Sequence, residues 1–172
     1  YADGLVLNGE QATSYGGALT IARKYLFLKR DANGIRYYTY FQTGLLSFGV
    51  DTLGNVVWHK PIRSNLAVNE TSAYANFASF TSNDHYYLLL SESKKSPADY
   101  DVSEPLKTVK FPLNASDKLA CYDIAPDGSV KKTLFSLEDK GMLSPCINKV
   151  GNKYYGTLSV LNKSILYSLE VK

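Results

Sequence analysis

The sequence contains few of the residues that mark metal sites, disulfide-rich scaffolds or membrane proteins. Its 172 residues include two cysteines, two histidines, one methionine and one tryptophan. Two cysteines have neither the number nor the spacing of a zinc site. No apolar run approaches the roughly 20 residues of a membrane-spanning helix, and no signal-peptide pattern is present. We therefore predict no metal, no cofactor and no membrane span.

Blocks of like charge and short catalytic motifs are also missing. The net charge of +3 is spread along the chain, and its nearest approaches to a run are two lysine pairs at positions 94–95 and 131–132. Nucleic-acid binding normally needs Lys and Arg gathered on one face or in an arm, so no nucleic-acid partner is predicted. The sequence has no phosphate-binding glycine loop, G-x-S-x-G elbow, H-E-x-x-H or paired C-x-x-C motif. An enzyme is therefore less well supported than a binding module.

Aromatic residues are abundant and favour strands. The chain is 45% hydrophobic and 20% charged, which is ordinary for a folded domain, and it holds fourteen Tyr and seven Phe. Aromatic side chains pack well on pleated surfaces. The predicted fold class is all-β.

Two segments of similar pattern, residues 45–62 and 119–135, each predict a β-hairpin. In both, two apolar runs flank a short turn, VDTLGNVVW in the first and IAPDGSVKK in the second. Gly and Asn tolerate the positive φ of tight turns. Asp51 and Asp127 are predicted to cap their own turns and not to bind metal. The isolated His59 and His85 are predicted to be partly exposed side chains.

The hairpins belong to a longer repeat of antiparallel strands. We predict units at about residues 17–62, 76–135 and 145–172, each with strands in the order A, B, C, D except the last, which lacks its D strand. In the first unit, strand A is placed at 18–21 and strand B at 25–28, with a break at 22–24. A weak additional strand at 5–7 is assigned to a neighbouring sheet.

Units of this kind, with VDTLGNVVW and IAPDGSVKK before their outer strands, resemble the blades of bacterial β-propellers of the PQQ-like and six-bladed kinds. The resemblance covers residues 17–172 and implies four-stranded antiparallel meanders in a partial propeller of about three blades. It also implies an extracytoplasmic location, whether periplasmic, cell-surface or secreted.

Three blades do not easily close a ring, because propellers usually have about four to eight. Each end of the stack should therefore leave an apolar sheet face uncovered. Three arrangements resolve this: residues 1–172 are a fragment of a longer chain, two copies form a homodimer, or the strands form a β-sandwich within a single domain. The fragment is the favoured interpretation, and the sandwich is the alternative fold.

Long connections fall at one end of the predicted meander, at residues 31–44, 63–73, 93–117 and 136–144. Loops carry binding groups while strands position them, so this end is the predicted functional face. We expect it to hold a carbohydrate, peptide or protein ligand without catalysis. The candidate binding residues are Arg36, Tyr37, Tyr38, Tyr40, Asp99, Tyr100, Asp101 and Glu104.

Each group of candidates also has an ordinary structural interpretation. The tyrosines suit stacking on sugars or a partner surface, but the same pattern fits an extra strand with alternate Tyr packed inward. The acidic residues fit a solvated loop. Alternatively, carboxylates from Asp99, Asp101, Glu104 or Glu138 converge in a glycoside-active enzyme. A third alternative is a purely structural segment that completes a larger ring or dimer.

The two cysteines, Cys121 and Cys146, have two interpretations. Cysteine often packs as a small hydrophobic residue, which favours two buried free thiols. The alternative is a disulfide that joins the second hairpin to the next strand.

Overall fold

The computed structural model describes residues 2–69, 77–93, 95–100, 108–111, 116–160 and 163–171. Within these residues every helix or strand element is a β-strand, so the all-β prediction is confirmed. In chain order the strands are β1 (Ala2–Thr13), β2 (Gly16–Arg30), β3 (Arg36–Asp51), β4 (Val56–Ile62), β5 (Leu66–Asn69), β6 (Ala78–Ser82), β7 (His85–Glu92), β8 (Val109–Phe111), β9 (Ser116–Ile124), β10 (Val130–Val150), β11 (Lys153–Val160) and β12 (Lys163–Glu170).

The strands form two six-stranded sheets. One has the order β1-β2-β3-β5-β8, with β4 paired to a different stretch of β3. The other has the order β12-β11-β10-β9-β7-β6. The strand pairs are antiparallel apart from β5 and β8, which are parallel. The meander order β1-β2-β3-β4 in the first sheet recurs as β6-β7-β9-β10 in the second.

Strand β10 divides the second sheet into two layers. Its first part pairs with β9 and its last part with β11, and the register shifts on both sides of residues 141–143. β11 and β12 pack on the face of β6, β7 and β9 that points away from the first sheet, where the Phe80 and Tyr154 rings lie 4.0 Å apart. We call β1–β5 and β8 the first layer, β6, β7, β9 and the start of β10 the middle layer, and the rest of the second sheet the third layer.

The core between the first and middle layers combines small and large side chains. The first layer contributes the small buried residues Ala18 and Ala22 and the buried Trp58. The middle layer contributes Tyr86, whose ring centroid lies 6.5 Å from that of Trp58 and whose hydroxyl is 2.9 Å from Thr20 Oγ1. Small residues let the two sheets approach closely while the rings fill the space between them.

The predicted hairpins are confirmed, and their turns share one hydrogen-bond pattern. In the β3–β4 turn, Gly54 has φ +86°, and Asp51 Oδ1 accepts hydrogen bonds from the amides of Leu53 and Asn55. These bonds lower the pKa of Asp51, chiefly through Asn55. The β9–β10 turn has Gly128 at φ +81°. A type I turn followed by a left-handed glycine is a standard hairpin connection.

Three predictions about strands were wrong. The strand predicted at residues 5–7 does not belong to a neighbouring sheet, because it is part of β1, which pairs with β2. The break predicted at residues 22–24 does not exist, because β2 runs on through Ala22 and the β2–β3 ladder absorbs one extra residue, Thr43, on β3. Most of the long connections contain strands: Arg36 begins β3, residues 66–69 form β5, residues 109–111 form β8, and residues 136–144 lie within β10. Aromatic and β-branched residues in these segments pair with the sheets and so do not form loops.

Candidate interaction surface

The first layer exposes a broad apolar face on the side that points away from the middle layer. The strand alternation places large side chains there from β2, β3 and β4. Phe27 is 48% exposed, Leu46 37% and Val57 50%. We call this surface the outer face; its apolar residues are Leu19, Ile21, Tyr25, Phe27, Phe41, Leu46, Phe48, Val50, Val56 and Val57.

The outer face corresponds at several central positions to the face of the middle layer that the first layer covers. Both layers carry a five-residue hairpin turn, at residues 51–55 and 125–129, so their strands can be aligned from that turn. The pair Leu19 and Phe48 of the first layer then matches the cross-strand pair Leu88 and Tyr122 of the middle layer. Leu88 and Tyr122 are buried.

Two further positions of the two faces continue this match. Ile21 aligns with the buried Leu90, and Val50 aligns with the buried Ile124. Gly17, Leu46 and Arg23 are exceptions, since their counterparts are Tyr86, Ala120 and Glu92. The two faces therefore have similar chemistry, but a sheet covers only one of them among the residues that the structure describes.

The two hairpin turns also differ in whether another layer packs against them. A Cβ added to Gly128 would lie 2.7 Å from Cβ of Trp58, because the middle-layer turn is pressed against β4 of the first layer. Gly54 occupies the equivalent position in the first-layer turn. A Cβ added there would have no described neighbour within 4 Å. The space beside Gly54 in the first layer is thus open, whereas the equivalent space beside Gly128 in the middle layer is filled by Trp58.

The opposite surface, on the third layer, is more polar. Tyr155 pairs with Ser168 and Thr157 with Leu166 on the side that points away from the middle layer. Leu166 is 67% exposed, whereas Ser168 is one of the polar residues that surround it. Val150 is also exposed on this side, at 65%, but scattered apolar residues on a polar surface are normal. Among the described side chains, the outer face is therefore the more apolar of the two end surfaces.

The predicted tyrosine cluster lies on a strand and not in a loop. Arg36 and Tyr37 are exposed at the start of β3, and the Tyr37 hydroxyl donates a hydrogen bond to Asp31 Oδ2 at 3.2 Å. Tyr37 is on the outer-face side. Tyr38 and Tyr40 are half-buried on the other side, where they pair with Leu28 and Leu26. The strand divides these tyrosines between two surfaces, as the structural alternative predicted.

The second group of predicted binding residues is placed elsewhere. Asp99 is exposed. Tyr100 is half-buried and donates a hydrogen bond to the carbonyl of Pro61 at 2.8 Å, and its ring meets that of Tyr122 edge-on. Burial raises the pKa of Tyr100. Tyr100 therefore fastens its segment to β4. The candidates Asp101 and Glu104 lie outside the described residues.

A buried polar cluster that sequence reasoning missed lies between the first and middle layers. Lys132 Nζ is 2.8 Å from Glu92 Oε2 and 3.0 Å from the carbonyl of Pro97. The Tyr122 hydroxyl donates to Glu92 Oε1 at 2.5 Å, and Lys132 also lies over the Tyr122 ring. Desolvation and the neighbouring carboxylate raise the pKa of Tyr122. The cluster is closed by packing, which suits a structural role.

Another polar pair lies near the short turns. His85 Nδ1 is 2.6 Å from Asp123 Oδ1, and both side chains are about one-third exposed. The neighbouring residue in the chain, Asp84, accepts a hydrogen bond from the amide of Ser14. Hydrogen bonds from the side chain and the amide of Ser14 lower the pKa of the Asp84 carboxyl. The β6–β7 turn is thereby linked to the β1–β2 turn, and His85 is not the isolated side chain that the sequence predicted.

A shallow, mostly polar cleft of about 300 Å³ opens where these turns meet Lys149 of β10. Its walls come from three strand ends and present hydroxyl, amide, carboxylate and ammonium groups. The lining residues are Ala12, Thr13, Ser14, Thr81, Ser82, Asn83, Asp84 and Lys149. The Lys149 ammonium also lies over the Tyr154 ring, 5.5 Å from its centroid.

Cys121 and Cys146 are free thiols, so the disulfide alternative is not adopted. Cys121 is half-buried on β9, packed against the core between the middle and third layers, whereas Cys146 is exposed on β10. The two side chains thus occupy different environments on successive strands. The prediction of free thiols agrees with the structure, but the prediction that both are buried was wrong for Cys146.

The described part of the chain holds no group of three or more His, Cys, Asp or Glu that could bind a metal ion. It also contains no helix long and apolar enough to cross a membrane. Comparison with models of protein families, with curated proteins and with solved structures found no match. The molecule's own geometry therefore carries the functional inference.

Proposed function

We propose that this protein is a non-catalytic interaction module, a partial β-propeller of about three blades that holds a protein partner on its outer face. The outer face carries the proposal, because large contiguous apolar patches on soluble proteins usually mark interaction sites. It extends over three strands, from Phe27 to Val57, with many large side chains half-buried or exposed.

The layer arrangement supports a propeller over a sandwich. Both faces of the middle layer are covered, whereas a sandwich has two sheets with one inner face each. The first strands of the layers also neighbour one another, since β6 contacts both β1 and β10. Blades arranged around an axis bring their first strands together in this way.

The chemistry of the outer face favours a protein over the other predicted ligand classes. Small-molecule and sugar sites are concave and combine apolar walls with several converging polar groups. The outer face is a sheet surface, on which Arg23 and His59 are polar side chains among aliphatic and aromatic ones. Aromatic residues at the centre of a polar rim are typical of protein interfaces.

An apolar-dye assay tests the proposal. The wild-type protein should enhance the fluorescence of anilinonaphthalene sulfonate, and the double variant Phe27→Lys, Leu46→Lys should lose most of that enhancement. Leu166→Lys, on the third layer, is the matched control and should leave dye binding unchanged. A folded wild-type protein that does not bind the dye and stays monomeric at high concentration contradicts the proposal.

A further inference from the structure

We infer that the partner on the outer face is itself a four-stranded antiparallel β-sheet, with a small-residue surface like that by which the first layer covers the middle layer. This inference rests on the proposed function and specifies its partner. It follows from the match between the outer face and the covered face of the middle layer, which shows what kind of surface such a face receives.

The surface that covers the middle layer combines small side chains on β2 and β3 with one large ring on β4, beside the buried pair Leu45 and Ile62. Ala18, Thr20 and Ala22 lie on β2, and Ser47 lies opposite Thr20 on β3. Trp58 on β4 reaches the β9–β10 turn at Gly128. Because Leu19 and Phe48 repeat the chemistry of Leu88 and Tyr122, a partner sheet with the same small residues is complementary to the outer face.

The open turn at Gly54 is a second observation that points to the same partner. In the middle layer, Gly128 is packed against the tryptophan of the preceding sheet. Gly54 has the same left-handed backbone, with φ of +86° against +81°, and open space where that ring would lie. A partner sheet with an aromatic residue at the position of Trp58 fills this space.

A second copy of this chain is a poorer partner for the outer face. In each copy the small-residue surface of the first layer is already used against the middle layer. The free surface of the third layer presents Ser164, Ser168 and Glu170, which do not match an apolar face. Two outer faces would have to meet with large side chains on both sides.

A tandem protein tests the inference, with the full chain preceded by a second copy of residues 1–76. The added copy brings β1–β5 with the small-residue surface and joins the full chain through the same connection that links the first and middle layers. It carries Phe27→Lys and Leu46→Lys, so that its own outer face contributes little dye binding. We expect the added sheet to cover the outer face, so that the tandem binds much less dye than the full chain alone. Because Gly17 lacks the ring that Tyr86 supplies, a gap should remain beside the added tryptophan.

A substitution on the outer face provides the decisive comparison. Leu46→Lys in the full-chain part should change the thermal unfolding midpoint of the single chain only slightly, because Leu46 lies at the surface, 37% exposed, and the longer lysine can extend its ammonium into solvent. In the tandem the same substitution should lower the midpoint by several degrees and restore dye binding. Ala22→Lys in the added copy should have the same effect, since that position must lie against the outer face.

The outcomes separate the two proposals. The sheet partner is overturned if the tandem binds as much dye as the single chain, or if Leu46→Lys does not change the unfolding midpoint of the tandem. The proposed function of the outer face as an interaction surface would still stand. Light scattering that finds a dimer of the single chain, lost in Leu46→Lys, also overturns the sheet partner and identifies a second copy instead. A single chain that binds no dye and is destabilised by Leu46→Lys overturns both proposals.

Discussion

Lys132 and Glu92 form an ion pair that is almost completely buried between two sheets. The ammonium and carboxylate lie 2.8 Å apart, and their side chains are 2% and 4% exposed. Tyr122 donates to the second carboxylate oxygen and the carbonyl of Pro97 accepts from the lysine, so each charge has more than one partner. Desolvation of two charges offsets most of the attraction of such a pair, but loss of one partner leaves the other uncompensated.

Replacement of Lys132 by Met should therefore destabilise the protein strongly. We expect a loss of about 3–5 kcal/mol in the free energy of unfolding, which corresponds to a fall of about 10 °C in the unfolding midpoint. The double variant Glu92→Gln, Lys132→Met should recover part of this loss, because it leaves no buried charge. A double variant less stable than Lys132→Met, measured by urea unfolding, contradicts this account.

Gly128 and Gly54 form a matched pair for substitution by alanine. Both have a left-handed backbone, so each substitution should cost about 1–2 kcal/mol from that conformation alone. At Gly128 the new methyl group also meets Trp58, and crowding of this kind typically adds about 1–3 kcal/mol. Thermal unfolding should show Gly128→Ala as clearly the less stable variant. Equal losses would mean that the turn does not press on β4.

These turns also show what sequence can predict. Asp51, Gly54, Asp127 and Gly128 fix their hairpins through contacts within five residues, so a local pattern is enough to locate them. The continuous strand β2 could not be predicted in the same way. Its Arg23 and Lys24 resemble a polar break, but the ladder with β3 continues across them.

The buried ion pair and the outer face were harder to predict, for a common physical reason. Glu92 lies two residues after Leu90, so strand alternation places it on the core side of β7. Whether that side is shielded from water depends on the first layer, which packs against it. Likewise the alternation of Leu46 and Phe48 indicates a face but not its neighbour. Burial depends on contacts between layers, and these contacts cannot be predicted from the local pattern of a single sequence.

The two thiols should differ widely in reactivity. Burial raises the pKa of Cys121 to about 12, so very little of the reactive thiolate is present near pH 8. Cys146 is exposed. In native protein a chromogenic disulfide reagent should titrate one thiol rapidly, and the second should react only after unfolding. Cys146→Ser should remove the rapid phase and Cys121→Ser the slow one. Two unreactive sulfurs in unfolded, unreduced protein would instead indicate a disulfide.

Tyr86 should make the stability of the protein depend on alkaline pH. Burial raises its pKa from 10.0 to about 12, so between these values the unfolded chain loses the phenolic proton while the folded chain keeps it. A raised pKa in the folded state stabilises the protein fully below the unfolded value, and that contribution is lost as pH rises. Tyr86→Phe removes this dependence together with the hydrogen bonds to Thr20 and Ser79. The Thr20 hydroxyl still has its hydrogen bond with Ser47.

At pH 7 we expect Tyr86→Phe to cost about 1–2 kcal/mol in the free energy of unfolding, because the variant loses two hydrogen bonds of the tyrosine hydroxyl. At pH 11 the tyrosine ionises in the unfolded wild-type chain. This ionisation lowers the free energy of unfolding of the wild type by about 1.4 kcal/mol relative to the variant. The variant should then be about as stable as the wild type. Urea unfolding of both proteins at the two pH values measures the difference, and Tyr87 cancels because both proteins retain it. A stability gap that stays constant from pH 7 to pH 11 contradicts the raised pKa.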